Sequence, residues 1–135
     1  MFETKIAIVV RDDLAAWQKL NVAAFLMSGI VGAAPGIVGE PYVDKAGNVF
    51  SALCVQPVVV LAADPETIGK IHRRALERGV RAAAYTEEMF ATGHDAANRA
   101  VFAGYGPEDA KIVGVALREE KKLVDKITKG ARMHP

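Results

Sequence analysis

The residues of this chain whose types could do chemistry fall in two stretches. Arg11, Asp13, Lys19 and Asn21 lie where the apolar run Ile6 to Val10 gives way to Arg-Asp-Asp and then to a second apolar run. Glu87, Glu88, Thr92, His94, Asp95, Asn98 and Arg99 follow another such run. A lysine beside an apolar cleft can act with a lowered pKa or neutralise an anionic transition state. A carboxylate or histidine at a strand end can serve as general acid or base. Both stretches sit at expected strand ends, where α/β folds gather their ligand sites. Each group also has a plain structural reading. Lys19, opposite Trp17 on an amphipathic helix, would be solvated; Thr92 or Asp95 would cap a short helix; Glu87, Glu88, Asn98 and Arg99 would face water.

Well-known short motifs are missing. There is no Gly-x-Gly-x-x-Gly after the first strand, no phosphate loop, no Gly-x-Ser-x-Gly elbow and no His-Glu-x-x-His. His72, His94, His134 and the single Cys54 show no zinc-ligand spacing, so neither metal nor cofactor is expected. His72, between Ile71 and Arg73, reads as a structural residue, and Cys54, inside ALCVQPVVVLAA, as a small core side chain.

These groups must be held by ordinary globular packing. A chain of 135 residues with 51% hydrophobic content fits one domain, residues 1–135, with a sizeable core. Seventeen basic and 16 acidic side chains nearly cancel, which removes the long-range field of a general nucleic-acid or anionic-membrane binder. Only Lys111 to Pro135 is locally basic, with seven Lys or Arg against three Asp or Glu. Leu20 to Gly39 carries no charge and is long enough to span a bilayer, but Asn21, Ser28, Pro35 and four glycines make it a buried helix running into a turn-rich loop. With no secretory signal pattern either, the cytoplasm is the expected location and no membrane partner is expected.

Ile6 to Val10 has the continuous β-branched pattern of a central strand covered on both faces. Asp12 and Asp13 are expected to cap a helix with Leu14, Trp17, Val22, Phe25 and Met27 on its apolar side, ending near Gly29. Val31 to Gly39 reads as loop, and Tyr42 to Phe50 as a hairpin turning near Gly47-Asn48. Ala52 to Ala62 is a second strand, with Pro57 marking an edge or a bend. Asp64-Pro65-Glu66 opens a helix with Ile68, Ile71, Ala75 and Leu76 on one face, stopped by Gly79. Strands at Val80 to Thr86 and Ile112 to Leu117 then alternate with helices at Thr92 to Ala103 and Glu119 to Lys129. The alternation predicts an α/β fold, a single-domain three-layer α/β/α sandwich on a small mixed sheet of about four strands.

Two ends of the chain carry a family resemblance. Val9-Val-Arg-Asp-Asp-Leu14 with Ala23-Ala24, and Ile112-Val-Gly-Val-Ala-Leu117 with Val124-Asp-Lys-Ile-Thr-Lys-Gly130, resemble the first and last elements of the type II peptidyl-tRNA hydrolases. Arg11-Asp-Asp-Leu14, Gln18-Lys-Leu-Asn-Val-Ala-Ala-Phe-Leu26 and Asp125-Lys-Ile-Thr-Lys-Gly130 resemble more closely the domain of unknown function 2000 family, which is thought to share that hydrolase-like fold and has no established activity. The hydrolase pattern is not intact. Counted forward from Arg-x-Asp-Leu, its lysine falls on Leu20, and Lys19 takes the slot only with one inserted residue; its glutamine and histidine then become Phe25 and Ser28. Glu87 and Thr92 stand in the slots of its Asp-Ala-Gly-Arg-Thr motif, and the stretch from His94 to Ala110 replaces its Pro-Gly-Thr turn.

Two functions remain open from the residues and the resemblance. One is a binding domain for a small molecule or protein, without catalysis, on a hydrolase-like scaffold. The other is a divergent hydrolase of an ester or amide of an anionic substrate, with Lys19 stabilising charge, Glu87 as base or orienter and Thr92 beside them. Arg11, Asp13, Asn21, His94 and Asp95 would contact substrate. The resemblance implies a homodimer, and tRNA as a partner under the hydrolase reading.

Overall fold

Five consecutive buried residues, Ile6 to Val10, form the heart of strand β1 (Thr4–Arg11), and the rest of the sheet is built outward from it. The computed structural model describes residues 2–135. β1 pairs in parallel with β4 (Val58–Ala63) and antiparallel with β6 (Ile112–Glu120). β5 (Ala83–Thr86) lies antiparallel outside β6, and β7 (Arg132–Met133) outside β4, giving the order β5-β6-β1-β4-β7. β2 (Tyr42–Val43) and β3 (Val49–Phe50) make a separate hairpin, whose turn uses Gly47 at φ 88° and an Asp44 carboxylate accepting from the Ala46 and Asn48 amides.

The helices are α1 (Ala16–Ala33), α2 (Pro65–Glu77), α3 (Asp95–Ala103) and α4 (Lys121–Ile127). Successive side chains of a strand point to opposite faces. Ile6, Ile8 and Val10 accordingly pack with Val22, Leu26 and Ile30 of α1, while Ala7 and Val9 pack with Ile68 and Ile71 of α2 and Val124 and Ile127 of α4. Over the described residues the chain is thus a single-domain mixed α/β protein with a five-stranded mixed sheet and four α-helices. Among the described residues no helix is long and apolar enough to cross a membrane.

Several expectations are corrected. The sheet has five strands because β7 adds itself to the β4 edge through two residues, too few for any periodicity to announce. α1 is capped at Ala15, not at Asp12 or Asp13; those carboxylates are drawn into ion pairs, and Gln18 Oε1 accepts from the Ala15 amide instead. The same helix runs on to Ala33, past Gly29, since Gly29 lets it lie close against Ala83 of β5. Its buried stripe is Val22, Leu26 and Ile30, not Trp17 and Phe25, which are 61% and 53% exposed. β4 begins after Pro57, whose missing amide cannot join a ladder. Cys54 is half-buried in the preceding loop, its Sγ 3.3 Å from the Gln56 carbonyl oxygen.

Candidate functional site

β1 ends by delivering Arg11 to the top of the sheet beside the end of β5. Its guanidinium holds Asp13 at 2.6 Å and Glu87 at 3.2 Å, with only 14% of the side chain exposed. Burial acts to lower the Arg11 pKa, but the hydrogen bonds and charges of Asp13 and Glu87 outweigh it, and the net direction is up. Asp12 is paired in turn with Arg132 of β7 at 3.1 Å. This knot of charges ties the end of β1 to the turn that follows β5 and to β7.

A cleft of about 350 Å³ lies next to it, between α1, the 3₁₀ turn Glu87–Ala91 and α3. Trp17, Asn21 and Phe25, spaced by four residues and so on one face of α1, form one wall. Tyr85, Met89 and Phe90 form the floor, and Thr92, His94, Asp95 and Asn98 the opposite rim. The rings form a connected array: Trp17 meets Phe90 edge-on at 5.8 Å, Phe90 meets Tyr85 at 5.3 Å, and Tyr85 meets Phe25 at 5.7 Å. These separations are in the favourable range for aromatic pairs. The Tyr85 hydroxyl accepts from Asn21 Nδ2 at 3.5 Å. Burial raises the Tyr85 pKa, with the Asn21 contact opposing it, so the phenol is neutral at physiological pH.

The expected site residues divide. Asn21, Thr92, His94 and Asp95 line the cleft; Arg11, Asp13 and Glu87 form the charge knot; Lys19 is in neither. Lys19 is half-buried at the start of the stripe that continues to Val22, Leu26 and Ile30, not fully solvated, and it makes no ion pair among the described residues. The Thr92 hydroxyl is engaged by the Met89 carbonyl and the Asn98 side-chain amide. His94 caps α3, its Nδ1 accepting from the Ala97 amide at 3.2 Å, and Asp95 pairs with Arg99 at 2.7 Å. Glu88, expected to face water, keeps both carboxylate oxygens buried without a partner. No group of three or more metal-ligating side chains exists among the described residues.

Sequence reasoning missed the rings. Trp17 and Phe25 are apolar and were assigned to the core, although their spacing with Asn21 already marks a face distinct from Val22, Leu26 and Ile30.

A family model described as a protein of unknown function, DUF2000, matches residues 4–135. The chain belongs to that family. It is also similar over its whole length to a solved structure, that of the protein of unknown function Atu0240 from Agrobacterium tumefaciens strain C58, with 62% identity, 100% of both chains covered and a TM-score of 0.99. No curated protein matches. The DUF2000 match spans every residue of the charge knot and the cleft, so both belong to the family domain itself.

Proposed function

We propose that this DUF2000 protein is a small-molecule-binding protein whose ligand is a planar, uncharged ring system seated in the Trp17–Phe90–Tyr85–Phe25 cleft. The observation that carries the reading is the continuous ring array, faced across the cleft by the polar side chains of Thr92, His94, Asp95 and Asn98, with Asn21 set among the rings. Ligand sites commonly combine aromatic surface with placed polar groups that fix orientation. Acid–base catalysis has little support: Lys19 is outside the cleft, Glu87 is bound to Arg11, and the Thr92 hydroxyl is already engaged. The finer fold assignment belongs to the same proposal. A three-layer α/β/α sandwich of the peptidyl-tRNA hydrolase II kind is supported by the two hydrophobic clusters on opposite faces of β1 and by the resemblance at the two chain ends. Homodimer formation is supported by the apolar side chains that the β2–β3 hairpin and the loop after it leave in water, among them Tyr42, Val43, Val49, Phe50, Leu53 and Val55.

Trp17 is the only tryptophan and stands in the cleft wall, so its emission reports occupancy. Titration with planar heteroaromatics from indole to adenine is expected to give a saturable change for at least one, lost in Phe90→Ala and weakened in Asn98→Ala. Unsaturable changes throughout the series, identical in the variants, would remove the reading.

A further inference from the structure

A second cavity, of about 310 Å³, lies on the other face of β5, under α2 and the loop from α3 to β6. The strand alternates: Ala83 and Tyr85 face α1 and the aromatic cleft, whereas Ala82, Ala84 and Thr86 face this cavity. The lining is mostly apolar, with Leu76, Phe102 and Pro107 among its walls. Arg81, exposed, is its one permanently charged side chain, and no carboxylate lines it.

Beside Arg81 and the partly exposed Tyr105 phenol, two buried polar atoms break that lining. Thr86 is 2% exposed and its Oγ1 has no hydrogen-bond partner; His72 Nδ1 is likewise buried and unpartnered. Both residues line the cavity. Buried polar groups in native proteins are nearly always satisfied, because an orphan bears its full desolvation cost. A hydroxyl can donate and accept, and neutral imidazole offers one donor and one acceptor nitrogen. Burial, then the charge of Arg73, holds the His72 pKa below its ordinary value, which keeps the ring neutral near pH 7.

We propose that this cavity is a binding site for a small, uncharged, mainly apolar molecule with a single hydroxyl or carbonyl, which Thr86 Oγ1 and His72 Nδ1 receive. The absence of a buried charge in the lining excludes an ionised group from the deep end, where it would be desolvated without a counter-ion. An ordered water is the competing occupant, since two polar partners suffice to hold one. A ligand differs from water in also filling the apolar volume, and in preferring a head group over none.

The test is a pair of matched probes, benzyl alcohol and toluene, titrated into the ¹⁵N-labelled full chain. Benzyl alcohol is expected to shift the amides of Ala84, Thr86, Phe102 and Gly106 saturably while leaving Trp17 emission unchanged. It should bind roughly threefold to tenfold more tightly than toluene, the worth of one net hydrogen bond. Thr86→Val, which keeps the shape and removes the orphan hydroxyl, should bring that preference close to unity without loss of stability. Ala110→Leu, which fills the cavity from the loop side, should abolish binding of both. Absence of saturable shifts overturns the proposal, as do shifts confined to the Trp17–Asn98 cleft. So does an alcohol preference that survives both Thr86→Val and His72→Phe, which would leave the orphan atoms to water alone.

Discussion

Tyr85 is where the two faces of the edge strand are decided. Its ring joins the aromatic array while its hydroxyl meets Asn21, and its neighbour Thr86 turns to the other side. Because burial raises its folded pKa above the unfolded value of about 10, Tyr85 contributes stability that is fully present below that pH and is lost as pH rises through the folded pKa. Urea midpoints between pH 8 and 11 should therefore fall less steeply in Tyr85→Phe than in the parent, and parallel profiles would contradict this. At this scale the sequence was only partly legible. Asn21, Thr92, His94 and Asp95 were found as candidates and do converge on the cleft, because position after a strand is readable from the chain. Lys19 stands two residues from both Trp17 and Asn21, which on a helix turns its side chain by about 200° from them. That phase keeps Lys19 out of the cleft that Trp17, Asn21 and Phe25 line, and helical periodicity already places it opposite Trp17; which of the two faces the sheet is set by tertiary packing.

Among the elements, those with explicit terminal chemistry were the most legible. α2 starts where Asp64 accepts from the Thr67 amide and Pro65 takes the first turn, and it stops before Gly79, whose φ of 69° suits glycine. α1 was misread at both ends because its true cap, Ala15, has no side-chain acceptor and its boundary is set by packing against β5 and β6. That packing depends on Gly114 in β6. A Cβ there would collide with Val22 Cγ1 and lie 2.9 Å from Leu26 Cδ1, both on the buried stripe of α1. Gly114→Ala is expected to lose about 1–3 kcal/mol, the usual cost of overpacking, measured as a lower urea midpoint at unchanged m-value. An unchanged midpoint would show that α1 can shift aside without cost. Since α1 carries Trp17, Asn21 and Phe25, the same variant should also weaken any ring probe bound in the cleft.

For the whole molecule, composition and strand–helix alternation gave the α/β class, while β7 and the exact sheet order depended on long-range pairing that no local pattern encodes. The proposed homodimer through the apolar hairpin predicts a mass of two chains by light scattering, reverting to one chain in Tyr42→Lys with Phe50→Lys. A monomer in the parent protein would leave that surface to another partner and contradict the dimer. The proposed reading, that the cleft binds a ligand and this α/β framework carries no hydrolytic chemistry, is tested most directly by peptidyl-tRNA hydrolysis with the purified protein at modest salt, where phosphate contacts are not screened. The expected result is no turnover by the folded protein. Turnover that Lys19→Ala abolishes would contradict the claim and make that half-buried lysine a catalytic group.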